Sequence, residues 1–485
     1  MTQAALLRSS FIGVSFSARG GSPLHHLQTR GAGVRLQGRG SGRCYTPVRL
    51  RQKRSYPFYL NVWYPGDPGS RRASASTIAV RCRGMTVSFA DGRTIRDWSG
   101  QFYVNNIGTG RAGMGRHLAA QTRVMSWVSP ADFAAVRLAL TDDLRSILPR
   151  HLTTPHFSVS GSDALEAAIR AARKVTRRRR VLSLTQSYHG DTMTIENVCG
   201  GTLMPYGDRR PWAAHARSPV DLWEAAGRDW PRACELCLED VDRVLRIHGP
   251  KSFAALIVEP AMAGAGAIPL SRRLARELRA LCDRHGIKLI ADEVVTGFGR
   301  TGRWFGSQTV GLVPDAMVFA KGLTGGYAPL GAVVFERGWG QELRRTGLNH
   351  GLTFAGHPLG CAAARATIRI LKREKLVERC ASIGRLLRDG LESLRARHPG
   401  VVADVRGEGL LLGLQLDGAR TGRGRPGGSA AERAGRLVAA ARIAGEQLLP
   451  FTDGSGVLFA PPFTVTRRQI DRLLAVLHRS LSRLA

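Results

Sequence analysis

The stretch AKGLTGGYAPLGAVVF, residues 320–335, places Lys321 directly after the apolar run DAMVFA (315–320). A second apolar run, IKLIADEV (287–294), carries Asp292 near its end. A lysine at a strand end, followed by glycines and preceded by a strand-end carboxylate, is a candidate Schiff-base nucleophile. An amine attacks only when deprotonated, and burial or nearby positive charge lowers its pKa. Only seven of the 71 basic residues are lysines, so the presence of one at this place is suggestive of a catalytic role.

Short apolar runs recur between residues 155 and 335, and amphipathic segments such as SRRLARELRALCDRHG (271–286) separate several of them. The other runs are VLSL (181–184), ALIVEP (255–260) and GAVVF (331–335). This alternation predicts an α/β fold with a mostly parallel sheet covered by helices on both faces. Ligands bind outside the carboxyl ends of such strands, where Glu259, Asp292 and Lys321 all fall.

The composition is that of a globular protein, with 485 residues, 43% hydrophobic and 22% charged. The net charge of +34 would suit a nucleic-acid or membrane partner. However, the arginines are spread along the chain, which is typical of GC-rich coding bias, and no aromatic residue interleaves with the run Arg177–Arg180. We therefore predict neither nucleic acid nor membrane as a partner.

The eight cysteines are irregularly spaced, which favours reduced thiols and a cytoplasmic location. Cys234 and Cys237 form a lone CxxC, a weak zinc or redox signal without a second pair. We predict no metal site. No apolar run reaches the roughly 18 residues that would span a bilayer.

The chain start differs from the rest: no acidic residue precedes Asp67, and ten basic residues occur up to Arg54. Such a segment resembles a transit peptide, or it reflects an over-extended start in a GC-rich reading frame. We predict a leader at 1–55 and a small-domain segment at 56–120. A large domain at 121–375 and a smaller C-terminal α+β domain at 376–485 then follow.

Two further stretches suit a ligand site. SGSDALEAAIRAAR (160–173) is a glycine–serine turn that opens a helix, which favours an anion such as phosphate, although Ser162 could instead be an N-cap. SYHGDTM (187–193) places Tyr188 and His189 after a strand, where the tyrosine could stack on a planar ring or belong to the core.

Two charged residues complete the candidates. A buried Asp292 needs a cationic partner, which a protonated pyridine nitrogen would supply. Arg406, in VRGEGL, could bind a substrate carboxylate through its two-pronged guanidinium, or form a structural ion pair for which Glu259 is a plausible partner.

In their order and spacing, these motifs resemble those of the class III (omega) aminotransferases, which are pyridoxal-phosphate enzymes of fold type I. The resemblance covers roughly residues 75–480. It is carried by SGSDALEAAIRAAR, SYHGDT, LIVEP, LIADEVVTGFGRTGRWF, PDAMVFAKGLTGGYAPLGAVV, GLTFAGHPLGCAAA and RGEGLLLGLQL.

The resemblance implies roles around the cofactor ring. Lys321 should form the internal aldimine and shuttle the proton between the substrate Cα and the cofactor. Asp292 should pair with the pyridine nitrogen. Tyr188, with His189 beside it, should stack on one ring face, and Val294 should pack on the other.

The resemblance also implies a phosphate site and a dimer. Gly161 and Ser162 should hold the phosphate. Thr353, in TFAGHP, should reach the phosphate of the neighbouring subunit, which would make the functional unit a homodimer with its active site at the subunit interface.

The resemblance says less about substrate binding than about cofactor binding. Arg406 is the candidate carboxylate reader, and Glu259, next to the cofactor, is the residue that could neutralise it; Trp98 is expected to line the pocket. The chain departs from the family in having Thr109 where histidine is usual. It also lacks the glutamine-rich form common after Glu259 in ornithine and 4-aminobutyrate enzymes.

The expected activity is transfer of an amino group from an amino acid or amine to a ketone, aldehyde or keto acid, in a ping-pong cycle. Alternatives are an adenosylmethionine-8-amino-7-oxononanoate (diaminopelargonate-forming) or secondary-metabolite aminotransferase. The same fold could also host an aminomutase, decarboxylase or racemase. From another class, a catalytically dead homologue or a nucleic-acid-binding protein remains as an alternative.

Overall fold

The computed structural model describes residues 77–200, 210–418 and 428–484. The predicted leader and the first part of the segment 56–120 lie outside the described residues. All described residues belong to one compact unit, so the division into domains at 121–375 and 376–485 stays a prediction.

The described strands are short and fall into four sheets. In chain order they are β1 (Ala79–Arg83), β2 (Thr86–Phe89), β3 (Thr94–Asp97), β4 (Leu152–Ser158), β5 (Arg180–Leu184), β6 (Ala213–Ala216), β7 (Phe253–Val258), β8 (Ala261–Met262), β9 (Ile268–Pro269), β10 (Lys288–Asp292), β11 (Ala316–Phe319), β12 (Gly331–Glu336), β13 (Val402–Glu408), β14 (Leu411–Leu416), β15 (Glu446–Gln447), β16 (Leu449–Pro450) and β17 (Gly456–Phe459).

The central sheet has seven strands in the order β4-β12-β11-β10-β7-β5-β6. Strands β11, β10, β7, β5 and β6 pair in parallel, whereas β12 is antiparallel to both of its neighbours. The predicted mostly parallel sheet is thereby confirmed, with one reversed strand.

Alternate residues along the central strands pack on opposite faces of the sheet. In β10, Leu289 and Ala291 belong to one buried apolar cluster and Ile290 to another, and β11 divides in the same way, with Phe319 in the first and Val318 in the second. Since successive strand side chains point to opposite faces, apolar residues at every position mean that both faces are covered.

Helices supply these two layers. The described right-handed helices of ten or more residues are Ala112–Val124, Ala135–Arg145, Gly161–Thr176, Trp230–His248, Arg272–His285, Arg337–Thr346, Pro358–Arg373, Leu376–Arg397, Ala430–Ile443 and Arg467–Leu481. Shorter helical segments are Met193–Glu196, Pro219–Leu222, Pro250–Ser252, Gly306–Val310 and Lys321–Leu323. No helix in the described ranges is both long and apolar enough to cross a membrane.

The two ends of the described chain meet in a smaller sheet, ordered β1-β2-β3-β15. Strand β15 pairs in parallel with β3, so a C-terminal segment completes a sheet that begins with the first described strands. A third sheet, β13-β14-β17-β16, lies entirely in the C-terminal part.

Candidate active site

Lys321 lies two residues beyond the carboxyl end of β11, at the start of the 3-10 turn Lys321–Leu323. Its φ of 24° is unusual for a residue with a side chain. Burial lowers the pKa of the lysine, and the carboxylates of Asp292 and Glu259 act in the opposite direction. An amine with a lowered pKa is more often deprotonated at neutral pH, as a nucleophile or a base must be.

Asp292 ends the neighbouring strand β10, where it lies opposite Val318 of β11. The backbone N–H of Val294 donates to Oδ1 of Asp292 at 3.0 Å, and Nδ1 of His189 lies 2.8 Å from Oδ2. Asp292 and His189 are both buried. Within the described residues, Nε2 of His189 is a buried nitrogen without a hydrogen-bond partner.

Glu259 follows β7, the next strand of the sheet, and is buried. Its carboxylate accepts hydrogen bonds from the backbone N–H groups of Tyr188 at 3.2 Å and Ala263 at 3.0 Å. Burial raises the pKa of Glu259 to about 7. The residue therefore fastens the loop that carries Tyr188 and His189 and adds a second titratable acid beside Lys321.

The helix Gly161–Thr176 begins at the same edge of the sheet. Ser160 caps it by accepting from the N–H of Asp163 at 3.3 Å. The N–H of Asp191 donates to Oγ of Ser162 at 3.3 Å. Ser160, rather than Ser162, is therefore the N-cap, and Ser162 faces the loop after Tyr188.

Two glycines keep backbone and side chains close together here. A Cβ on Gly161 would lie 2.8 Å from Cγ2 of Val294, and a Cβ on Gly190 would overlap Oγ of Ser162. Tyr188 and Val294 are both partly buried and pack against the apolar cluster that includes the helix Gly161–Thr176. The sequence-predicted phosphate and ring residues therefore lie around one region of the sheet edge.

Within the described residues of one chain, Thr353 makes its hydrogen bond away from these site residues. It is exposed, and its carbonyl oxygen accepts from Nε1 of Trp127 at 3.3 Å. Its contact with a neighbouring subunit stays a prediction.

The alternative interpretation of Arg406, an ion pair with Glu259, is wrong. The guanidinium of Arg406 donates instead to the carbonyl of Gly266 at 2.9 Å, to Gln415 at 2.9 Å and to Asp404 at 3.3 Å. Its partner Asp404 lies two residues away on the same strand, and both carboxylate oxygens of Glu259 already accept backbone N–H groups.

The expectation that Trp98 lines the pocket is also wrong. Trp98 is fully buried, and its Nε1 donates to Glu446 at 2.8 Å. It packs in the main apolar core. The small sheet formed by β3 and β15 therefore accounts for its position.

Tyr103 is a site residue that the sequence did not reveal. Its ring lies 5.2 Å from Nζ of Lys321. Tyr103 belongs to the segment Gly100–Tyr103, in which all four residues have positive φ. The available signal was Asp97 followed by Ser99-Gly100, since aspartate often accepts from N–H groups just after it, but this signal does not predict a left-handed turn.

The group fits a planar, phosphorylated aromatic aldehyde such as pyridoxal phosphate. A buried lysine supplies the amine, a strand-end carboxylate suits a ring nitrogen, and a helix start flanked by tightly packed glycines suits a phosphate. A bulkier residue at Gly161 or Gly190 would displace Val294 or Ser162.

Known proteins resemble the chain over most of its length. The family model Aminotransferase class-III matches residues 69–481. The 5-aminovalerate aminotransferase of Pseudomonas aeruginosa is 32% identical over 84% of this chain and 94% of its own. The adenosylmethionine-8-amino-7-oxononanoate aminotransferase of Geobacter sulfurreducens is 31% identical, covering 87% and 95%.

The fold is also similar to solved structures. An amine transaminase from an uncultivated Pseudomonas species, solved with PLP bound, superposes with a TM-score of 0.81 at 31% identity. The match covers 89% of this chain and 100% of that one.

Proposed function

Because the chain belongs to the class III aminotransferase family, and is thus a fold type I aminotransferase that depends on pyridoxal phosphate, we propose that Lys321 is the residue that binds the cofactor aldehyde. The support is its place at a strand end, on the same sheet edge as Asp292 and Glu259, with a pKa that burial lowers. When bound, the cofactor supplies an electron sink and carries the amino group.

Asp292 would pair with the ring nitrogen of the cofactor and keep it protonated. Its two oxygens are already oriented by the N–H of Val294 and by His189. A carboxylate held on both sides cannot rotate away, and a buried carboxylate gains most from a cationic partner. His189 therefore positions Asp292, and Glu259 fastens the loop that carries His189.

The remaining residues would hold the cofactor in place. Gly161 and Ser162, at the helix start, present N–H groups and a hydroxyl to the phosphate. Tyr188 and Val294, which pack on the same cluster, would enclose the ring. Once released from the cofactor, Nζ of Lys321 would take the proton from the amine-bearing carbon of the substrate.

The substrates we propose are an amino acid or amine as donor and a ketone, aldehyde or keto acid as acceptor, which take turns in one pocket. A second candidate is the adenosylmethionine-8-amino-7-oxononanoate reaction, favoured by the 31% identity to the enzyme from Geobacter sulfurreducens. A panel of donors and acceptors read by mass spectrometry separates the two. Turnover restricted to 8-amino-7-oxononanoate would replace the broader proposal.

Borohydride reduction tests Lys321 directly. Reduction of the loaded protein, followed by peptide mass mapping, should place the cofactor mass on Lys321. Lys321→Ala should lose both that label and the visible absorbance band. Lys288→Arg, a change at a partly buried lysine on β10 that pairs with Glu336, should keep both. A label on another lysine would reject the proposal.

We propose that the working unit is a homodimer. Large apolar side chains at Thr353 are exposed: Phe354, its neighbour in sequence, is 57% exposed, and Trp127, which donates to the Thr353 carbonyl, is 44% exposed. Exposed apolar groups of this size favour a protein partner, and a second copy would bring Thr353 to the phosphate of its neighbour.

Light scattering tests this assembly. Phe354→Asp should shift the mass from dimer to monomer and weaken cofactor binding. Ile443→Asp, at an apolar residue that is 89% exposed at the end of the helix Ala430–Ile443, should do neither. A wild-type monomer with full cofactor affinity would refute the dimer.

A cytoplasmic location is also part of the proposal. Seven cysteines in the described ranges are free thiols, and six of them are buried. Such thiols suit a reducing compartment. Fractionation of cells that express the full chain tests this.

A further inference from the structure

The segment Gly100–Tyr103 is a single left-handed helical turn beside Lys321. After Gly100, with φ of 61°, the values are 52° for Gln101, 57° for Phe102 and 69° for Tyr103. Left-handed helical backbone is unfavourable for a residue with a side chain, because its Cβ comes too close to the following carbonyl oxygen. Three such residues in succession persist only where the surrounding structure holds them.

Hydrogen bonds to the side chain of Asp97 stabilise much of this turn. One carboxylate oxygen of Asp97 accepts from N–H of Ser99 at 2.9 Å and from its hydroxyl at 2.6 Å. The other accepts from N–H of Gln101 at 2.6 Å and from its side-chain amide at 2.7 Å. The N–H of Tyr103 then donates to the carbonyl of Ser99 at 2.9 Å. This buried carboxylate thus ties down the start of the turn.

The turn is also packed from outside. A Cβ on Gly100 would overlap the carbonyl oxygen of Ala460, so only glycine fits there. Tyr103 is buried in an apolar cluster that includes Phe451 and Leu411, whereas Phe102 is 40% exposed. The strained conformation therefore turns Tyr103 inward and leaves the preceding Phe102 partly exposed.

We propose that Tyr103 is a positioning residue for Lys321: its ring face holds the ε-ammonium of the lysine in the part of the cycle when Nζ is free of the cofactor. This rests on the proposed role of Lys321. The ring lies 5.2 Å from Nζ, within the range of a cation–π contact. Strain that serves to place a side chain is expected at a functional site.

The charged and titratable groups around Nζ come from three directions. Asp292 at the end of β10 and Glu259 after β7 favour the charged lysine. His189 lies behind Asp292, and Tyr103 faces the amine from the left-handed turn. The carboxylates are partly engaged by other donors, and the ring supplies an uncharged contact that does not compete for the cofactor nitrogen.

The test measures how fast the full chain, freed of cofactor, captures pyridoxal phosphate as a function of pH. The capture rate rises as Lys321 loses its proton. Tyr103→Leu removes the ring face, so it should shift the midpoint of this rise to lower pH by about one unit. Tyr103→Phe keeps the ring and should titrate like the wild type.

Phe102→Leu is the matched control, because it removes an aromatic ring from the same turn on its exposed side; its midpoint should not move. A Tyr103→Leu midpoint equal to that of the wild type overturns the proposal. An equal shift in Tyr103→Phe or in Phe102→Leu also overturns it, because the hydroxyl or the turn as a whole would then act on Lys321.

Circular dichroism checks each variant. If Tyr103→Leu is unfolded, Tyr103→Met, which is unbranched and flexible, decides by the same criteria. Borohydride mapping separates the two proposals: a wild type that captures the cofactor on another lysine removes the premise about Lys321. Capture on Lys321 with unchanged midpoints rejects only the role of Tyr103.

Discussion

Nδ1 of His189 lies 2.8 Å from Oδ2 of Asp292, and this contact joins the loop after β5 to the end of β10. Both side chains are buried, and Oδ1 of Asp292 is held separately by N–H of Val294. The carboxylate is therefore fixed before any ligand arrives, and the second imidazole nitrogen has no partner in the described residues.

His189→Ala should weaken the affinity for pyridoxal phosphate by roughly tenfold to a hundredfold, because a hydrogen bond to a charged group contributes about 1.5–3 kcal/mol. His189→Asn, whose side-chain amide can reproduce the donor at Nδ1, should recover most of the loss. Absorbance titration of the cofactor-free chain measures both. An equal loss of affinity in the two variants would show that the hydrogen bond to Asp292 does not contribute to cofactor binding.

Glu259→Gln should make stability less sensitive to pH. The folded pKa of Glu259 is raised by burial, from its ordinary value of 4.5 to about 7. The unfolded chain thus loses this proton first, and stability present below pH 4.5 is lost as pH rises to about 7. At 1.36 kcal/mol per unit, the loss is about 3 kcal/mol.

Chemical unfolding of the cofactor-free protein at pH 5 and pH 8 measures this. Relative to the wild type, the glutamine variant should gain stability as the pH rises from 5 to 8, whatever constant cost arises because its amide nitrogen cannot accept from one of the two backbone N–H groups. A stability difference that is the same at both values would show that Glu259 is not protonated in the folded state near neutral pH.

Gly100→Ala should lower the free energy of unfolding by more than about 2 kcal/mol, because alanine resists φ of 61° and its Cβ would overlap the Ala460 carbonyl. Gly113→Ala is the matched control, since nothing lies within 4 Å of its Cβ and it occupies the helix Ala112–Val124. There alanine should be neutral or stabilise by about 0.5–1 kcal/mol. Thermal melts decide, and equal melting points would refute the packed left-handed turn.

Local pattern predicted the central sheet well. The apolar runs 287–294 and 315–320 became β10 and β11, and their parallel pairing brings Asp292 and Lys321 to one edge. This succeeded because strand direction and apolar run length are both local properties. The conclusion that strand-end residues converge follows from the topology without knowledge of any side-chain contact.

The residues that the sequence predicted wrongly or missed are held by contacts with residues far away in the chain. Trp98 is held by Glu446, 348 residues away in sequence, and no local pattern distinguishes a core tryptophan from one that lines a pocket. Tyr103 depends on a backbone conformation that its own residue type disfavours. This conformation is imposed by contacts with Asp97 and Ala460, so local residue preferences predict a different backbone there.

The side chain of Arg406 already makes several contacts within the protein, and these limit its freedom to bind a substrate. Its guanidinium lies between the rings of Trp230, at 4.9 Å, and Phe451, at 5.1 Å, and already donates to Asp404 and Gln415. To bind a substrate carboxylate it must release at least one of these acceptors. Lysine keeps the charge but lacks the planar fork, so Arg406→Lys should lose about 1–3 kcal/mol of stability.

If Arg406 binds the substrate carboxylate, as the family resemblance implies, Arg406→Lys should also raise KM for a keto-acid acceptor roughly tenfold or more, because it loses the bidentate contact, and leave KM for a simple aldehyde unchanged. Arg388→Lys, at an arginine that donates to the carbonyl of Gly407 nearby, should change neither KM. Steady-state kinetics with both acceptors measures the split. Equal changes for the two acceptors would assign Arg406 to the framework alone, since only a carboxylate contact can distinguish them.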